Sequence, residues 1–484
     1  MMQYRTIIRI LGLLVALFSS TMLFPATISL IFEDGSGLPF ILAFFLILFT
    51  GLAIWYPNRR HRNDLRAKEG FLIVVLFWVV LASFGAFPFL LLDQPRMTVT
   101  DAFFESFSAL TTTGATVIEG IEYLPKSVQF YRQQLQWLGG MGIIVLAVAI
   151  LPILGVGGMQ LYRAETPGPV KDSKMTPRIA DTAKHLWYIY LALTVACSIA
   201  YWVAGMDWFD AICHSFSTIA IGGFSTYDAS LGHFNSPVIN LICVVFLWIA
   251  ALNFALHYAA ASGRSLRGYI YDPEFKAFFF IQFVLILVCF LVLVNHQIFG
   301  TAETAFNQAI FQAVSISTTA GFVTTDFTSW PVFLPILLIF SSFIGGCAGS
   351  TGGGLKVIRV FLLYLQGKRE VERLIHPKAV YSVKLGDRLM PERVVEAVWG
   401  FFSAYAMIFV VIMIGLIATG MDNLTAFSAT AATLNNLGPG LGTVAGTFAD
   451  VSDSGKWLLI IAMLFGRLEV FSLLVLFSPT FWRS

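Results

Sequence analysis

The stretch Phe107-Ser-Ala-Leu-Thr111-Thr112-Thr113-Gly114 has three relatives further along the chain. The second reads Phe216-Ser-Thr-Ile-Ala220-Ile221-Gly222-Gly223. The third reads Val314-Ser-Ile-Ser-Thr318-Thr319-Ala320-Gly321, and the fourth Ala431-Ala-Thr-Leu-Asn435-Asn436-Leu437-Gly438. Their final glycines are 109, 98 and 117 residues apart. Each begins as an amphipathic stretch, ends in small or polar residues, and lies between two apolar runs. The repeating unit is span, half-helix, polar loop, span. Its period is too long for a solenoid and suits four-part pseudosymmetry about an axis through a membrane.

Composition requires the membrane. Of 484 residues, 57% are apolar, 12% are charged and 46 are Phe. Soluble domains run at roughly 45–50% apolar and about 25% charged. So few charges exclude a nucleic-acid binder, a secreted disulfide scaffold and an ordinary cytosolic enzyme. The five cysteines are scattered without a CxxC pair and read as small buried hydrophobes. A span needs about 20 apolar residues. Ten candidates follow: 6–32, 39–57, 70–92, 128–153, 185–204, 236–258, 275–295, an interrupted 331–366, 394–419 and 457–479. The first is too long for a signal-peptide core and reads as a retained span.

Ten crossings put both termini on one side. The loops 58–69, 154–184, 259–276 and 356–393, with the termini, hold 25 of the 30 Lys and Arg residues, so these are cytoplasmic. The opposite face carries 15 of the 28 acidic residues, among them Asp101, Glu105, Asp210, Asp228 and Asp326, against four basic ones, Arg96, Lys126, Arg132 and Lys456. That bias concentrates cations at a pore mouth, or reflects only the exclusion of Lys and Arg from that face.

Non-helical backbone at membrane depth is tolerated where it is buried in protein or lines a wet cavity. Four such loops around one axis direct carbonyls inward, and carbonyl rings replace the water shell of a dehydrated cation. Glycine supplies the positive φ that turns them. The half-helices point their negative C-terminal ends at the same place.

Two features interrupt the spans. Six glycines fall within residues 345–354, and each costs about 1 kcal/mol in a helix relative to alanine. The span 331–366 must therefore open beneath the four loops. A phosphate loop is excluded because Leu355-Lys356 stands where Lys-Ser/Thr is needed; a glycine-rich packing surface between helices is the competing reading. Arg467 and Glu469 lie in the last apolar run. At i, i+2 they point apart, so each needs another partner. Asn253 and His257, four apart, share a helix face and suit interhelical hydrogen bonding.

These residues resemble the Trk/Ktr/HKT superfamily of potassium transporters, and within it the TrkH family, over nearly the whole chain. The resemblance implies an all-α polytopic membrane protein with four M1–pore helix–M2 repeats around one pseudo-fourfold pore. Residues 1–69 would supply two extra spans and a cytoplasmic loop, and the repeats would occupy 70–153, 184–258, 274–366 and 394–484. The implied potassium filter is Thr111, Thr112, Thr113 and Gly114; Ala220, Ile221, Gly222 and Gly223; Thr318, Thr319, Ala320 and Gly321; and Asn435, Asn436, Leu437 and Gly438. Relatives with serine at the position of Gly114 tend to favour sodium, so glycine there implies potassium. The implied gate is Gly345, Gly346, Cys347, Ala348, Gly349, Ser350, Thr351, Gly352 and Gly353, with Arg467 facing the pore beneath the filter.

The resemblance further implies potassium uptake across the bacterial inner membrane, a homodimer, and regulation by a TrkA-like cytosolic nucleotide-binding ring docked near the basic segment 367–393. Potassium is then the transported ligand. No cofactor is expected in the chain itself, whose polar segments carry no nucleotide-binding pattern, and membrane lipid is its other partner. No paired catalytic groups lie at depth, so an enzyme is not expected. A secondary cation transporter of another fold, or one coupled to Na⁺ or H⁺, is the alternative.

Overall fold

The computed structural model describes residues 3–61, 67–145, 179–263, 265–331, 333–386 and 388–482. Most of the basic loop 154–184, the end of the span 128–153 and part of the loop 58–69 lie outside them.

The first apolar run folds as α1 (Tyr4–Ser19) and α2 (Leu23–Phe32), joined by a 3-10 turn, and the chain returns as α3 (Gly37–Asn58). α1 and α3 meet at two glycines. A Cβ on Gly12 would lie 2.6 Å from the backbone N of Trp55, and one on Gly51 2.5 Å from that of Ala16. Small residues permit this approach where packing, rather than the hydrophobic effect, joins helices in lipid.

Four units follow. In the first, α4 (Ala67–Gly85) runs into α5 (Phe87–Leu91), then half-helix α6 (Val99–Leu110) and α7 (Lys126–Val145). The second contains α8 (Ile179–Val203), half-helix α9 (Trp208–Ala220), α10 (Pro237–Ala251) and α11 (Phe254–Gly263). A short α12 (Arg267–Tyr271) leads to the third: α13 (Pro273–Asn295), half-helix α14 (Ala302–Ser317), α15 (Phe333–Ser342) and α16 (Val357–Ile375). A two-stranded antiparallel hairpin pairs β1 (Lys384–Leu385) with β2 (Arg388–Leu389). The fourth unit has α17 (Glu392–Ala418), half-helix α18 (Asn423–Leu434), α19 (Asp453–Arg467) and α20 (Phe471–Phe477), before α21 (Pro479–Trp482).

The half-helices start alike. Thr98, Asp207, Thr301 and Asp422 each cap one, accepting from the backbone N–H of Asp101, Phe209, Thr304, and both Leu424 and Thr425. Such caps satisfy donors that the first turn leaves open. Exposed Phe45 and Phe49 on α3, and Phe280, Phe283 and Leu291 on α13, form part of the lipid-facing shell.

The second spans differ from the sequence expectation, which broke the third alone. Six helical stretches among the described residues are long and apolar enough to cross a membrane, and the pair α10–α11, bent by 90° at its break, makes seven if it is counted as one span. The expected span 236–258 is thus broken at Leu252-Asn253, where the Asn253 side chain accepts from Ala255 N and starts a new helix. The span 457–479 breaks at Glu469 and Val470, with φ of 51° and 56°. The span 331–366 opens as expected between α15 and α16.

Candidate ion pathway

The four half-helices end in one backbone conformation despite four different sequences. The N–H groups of Thr113, Gly222 and Ala320 donate to the carbonyls of Ser108, Ser217 and Ser315 at 2.8 Å, and Leu437 N donates to Ala432 O at 2.7 Å. One residue earlier, Thr112, Ile221, Thr319 and Asn436 have φ of 53°, 53°, 70° and 53°. One residue later, Gly114, Gly223, Gly321 and Gly438 have φ of 78°, 80°, 78° and 99°. Left-handed backbone is costly for β-branched residues, and here Thr112, Ile221 and Thr319 adopt it at the same place. The repetition is a property of the site.

The strands close into a ring. A Cβ on Gly114 would sit 2.1 Å from the carbonyl oxygen of Gly222. One on Gly223 would meet the Ala320 oxygen at 2.0 Å, and one on Gly321 the Leu437 oxygen at 2.0 Å. One on Gly438 would meet the Thr113 oxygen at 2.8 Å. Each glycine therefore abuts the carbonyl that precedes the glycine of the next repeat, in the order one, two, three, four, one. Only glycine permits the first three approaches. The sequence-predicted residues of all four strands come together here.

Side chains brace the ring from behind. Glu105 and Arg132, both fully buried, pair at 2.8 Å. Glu105 also accepts from the Thr116 hydroxyl and from Val117 N, while Arg132 donates to Ser225 O and stacks over Phe224. In the second repeat Asp210 accepts from Thr226 and Tyr227, and His214 bonds Ser225 at 2.9 Å. In the third, the Ser315 hydroxyl donates to Phe322 O at 2.7 Å. In the fourth, the Asn436 amide donates to Thr113 Oγ1 at 2.9 Å and Met463 O at 3.1 Å. The Tyr405 hydroxyl donates to Asn435 Oδ1, whose amide donates to Ser342.

The five outer acidic residues singled out in the sequence each have defined partners or are buried. Asp101 binds Lys456 at 2.7 Å, Asp228 accepts from Gly120 N and Ile121 N, and Asp326 accepts from Thr328 N. Glu105 and Asp210 are buried within the braces. Arg132, counted from sequence among outer-face charges, lies inside α7 against the ring.

The glycine-rich loop passes directly beneath. The Thr351 hydroxyl donates to Ile219 O at 2.9 Å, and Gly353 N to Thr319 Oγ1 at 2.7 Å. A Cβ on Gly352 would lie 2.9 Å from Thr318 O, and one on Gly353 2.0 Å from Asn435 O. Arg467 completes the circuit. It donates to Thr351 O at 3.1 Å and, in the first repeat, to Gly139 O at 2.9 Å. Residues 351–353 and Arg467 thus touch the base of all four repeats. Gly345, Gly346, Cys347, Ala348, Gly349 and Ser350 form the approach: Cys347 N donates to Ala251 O, and Phe254 N to Gly349 O. The helix break at Leu252-Asn253 is where the loop docks.

Three clasps below this loop escaped sequence reasoning. Glu274 accepts from Ala348 N and Ile358 N, Lys356 donates to Gly352 O, and Arg359 pairs with Glu469 at 2.5 Å. The only sequence signal was that buried charges need partners. Arg467 and Glu469 do take separate ones. His257 bonds Tyr269 at 2.6 Å and Ile249 O at 2.9 Å.

Comparison with known proteins agrees with this architecture. A family model described as "TrkH: Cation transport protein" matches residues 38–484. The chain is 68% identical to the Trk system potassium uptake protein TrkH of Vibrio parahaemolyticus and 63% identical to that of Salmonella typhimurium, each over 100% of both chains. The crystal structure of the potassium transporter TrkH from Vibrio parahaemolyticus superposes with a TM-score of 0.92 at 65% identity, covering 100% of both chains. A fourfold ring closed by carbonyls, a loop crossing its base, and full-length likeness to these proteins lead to one conclusion: the chain belongs to the TrkH family of cation transport proteins.

Proposed function

We propose that this protein takes up potassium ions through the ring of four strands, which acts as a selectivity filter. The observation that carries the reading is the ordered contact of each strand's glycine with the next strand's carbonyl. It supports a narrow passage lined by backbone oxygen, the chemistry that suits a dehydrated monovalent cation. The names of the relatives, potassium uptake proteins, favour K⁺ as that cation.

The loop 345–353 is the gate, and Arg467 is both its latch and a fixed positive charge in the path beneath the filter. The protein works in the bacterial inner membrane with both termini cytoplasmic, as a transporter and not an enzyme. Its regulator is a TrkA-like nucleotide-binding ring on the cytoplasmic face, and two copies form a homodimer. Potassium-dependent growth of a transport-deficient cell tests the central claim. Expression restores growth at limiting K⁺, and liposomes carrying the protein pass K⁺ ahead of Na⁺. Absence of both in a folded, membrane-inserted protein would falsify the reading.

A further inference from the structure

The second strand is unlike the other three. Ala220-Ile221-Gly222-Gly223 carries no side chain capable of a hydrogen bond. Its counterparts do: Thr111 pairs with Thr113 at 2.8 Å, the Thr318 hydroxyl donates to Val314 O at 2.7 Å, and Asn435 and Asn436 bind Ser342 and Thr113. Yet its backbone is the same, with φ of 53° at Ile221 and 80° at Gly223. Something outside the strand must hold it.

Gln136 is placed to do so. It lies on α7 of the first repeat and is fully buried. Its Nε2 donates to Gly222 O at 2.6 Å and its Oε1 accepts from Phe224 N at 3.1 Å. One amide thus grips the strand on both sides of Gly223. The Gly222 carbonyl is the one that abuts Gly114, and Nε2 lies 3.6 Å from where a Gly114 Cβ would be. Gln136 therefore sits behind the junction of strands one and two. Gly222 has no positive φ, so the need for glycine there is spatial: a Cβ would lie 2.5 Å from Cδ and Oε1 of Gln136. Arg132, one turn earlier on the same face, holds the outer end of the same junction through Ser225 O.

We propose that Gln136 is a positioning residue for ion selectivity, fixing the Gly222–Phe224 backbone and the width of the junction between strands one and two. The proposal rests on the ring being the filter. A side chain that merely packed would not need to donate and accept at once. An ionised glutamate, similar in shape, keeps the acceptor for Phe224 N and loses the donor for Gly222 O.

The test is the K⁺/Na⁺ permeability ratio from bi-ionic reversal potentials of the full-length protein in planar bilayers. Gln136→Leu and Gln136→Glu lower the ratio by roughly fivefold, the scale of one buried hydrogen bond, while Gln136→Asn, which keeps the amide, retains part of it. A structural role alone would reduce melting temperature or total flux and leave the ratio unmoved, and that result overturns the proposal. Gly114→Ser is the control. If it shifts the ratio and the Gln136 variants do not, the clamp is wrong and the filter stands; if neither shifts it, the filter reading falls as well. Should Gln136→Leu fail to fold, Gly222→Ala decides alone and with Gln136→Ala. The single change disrupts folding or selectivity, and the double Q136A/G222A recovers folding without recovering the ratio. Full selectivity and stability in Gly222→Ala overturns the proposal.

Discussion

Arg467 holds Thr351: its guanidinium donates to the Thr351 carbonyl at 3.1 Å, across 116 residues of sequence. The second donor goes to Gly139 O at 2.9 Å. A residue of the last repeat thereby ties the loop of the third to a helix of the first, directly below the ring. Arg467 is 7% exposed and also lies over the Trp78 ring. A planar fork can bridge two carbonyls that a point charge cannot.

Arg467→Ala is therefore expected to release the loop. A hydrogen bond from a charged group is worth about 1.5–3 kcal/mol, so losing one shifts a closed-to-open ratio by roughly tenfold or more. On the proposed ion path, removing the positive charge also lowers a barrier to cations. Liposome K⁺ flux without any regulator should rise, and Arg467→Lys should fall between. Unchanged flux from a folded variant would place the latch elsewhere.

The loop itself gives a second expectation. Gly353 packs so closely that a Cβ would sit 2.0 Å from Asn435 O. Gly353→Ala must push the loop away from the fourth strand, and deletion of 346–353 removes it. Both should leave a constitutively leaky protein, the deletion more so. Low, regulated flux in the deletion would show that closure does not depend on this segment.

Much of this was legible because the four stretches keep phase while their residues drift. Gly114, Gly223, Gly321 and Gly438 marked the ring, and six glycines marked the loop. What stayed hidden depended on tertiary contact. Thr112, Ile221 and Thr319 have positive φ, which no residue type announces; the surrounding ring imposes it. The break at Leu252-Asn253 has neither glycine nor proline; there the Asn253 side chain caps the next helix and lies 2.9 Å from where a Gly349 Cβ would be. Glu105 and Arg132 read as outer charges because their pairing spans 27 residues and two helices.

The N-terminal hairpin bears on the same helix, α7. Asp34, in the turn between α2 and α3, accepts from the backbone N–H of Ser127 at 2.8 Å and so caps α7 from outside; it also accepts from Ser29 and Ser36. Burial pushes its carboxyl up, and these hydrogen bonds outweigh that and hold it below the ordinary value of 3.8. A folded-state pKa that is depressed stabilises the fold above the unfolded value and ceases to do so as pH falls through the folded one. Asp34→Asn should thus lower the melting temperature at neutral pH. The gap to the parent protein should narrow below pH 3.8. A gap that does not change with pH would show that the carboxylate charge plays no part.

The buried pair behind the ring yields an asymmetric expectation. Glu105→Ala leaves Arg132 as an uncompensated charge with zero exposure, and breaking such a pair costs about 3–5 kcal/mol. Replacing both with apolar residues of similar volume, E105L/R132M, should recover most of that stability in a detergent melting series. Selectivity should not return with it, because the Ser225 carbonyl and the Thr116 hydroxyl lose the hydrogen bonds that Arg132 donates. Equal damage from single and double variants would mean that the polar contacts, more than the charge balance, hold this region.

Gly114 is the most direct probe of the ring. At φ 78°, with its missing Cβ 2.1 Å from Gly222 O, it has neither the conformation nor the space for a side chain. Gly114→Ser must shift strand one away from strand two and widen that junction. In the proposed filter, a wider ring fits its carbonyls less well to K⁺ and lets a hydrated or differently seated Na⁺ pass. The K⁺/Na⁺ permeability ratio should fall, with Na⁺ flux rising relative to K⁺ flux while the protein still inserts and folds. The same substitution at Gly438, whose missing Cβ has 2.8 Å to the Thr113 oxygen, should perturb the ratio less. An unchanged ratio in Gly114→Ser would count against these strands as the filter, since no rearrangement elsewhere restores that contact.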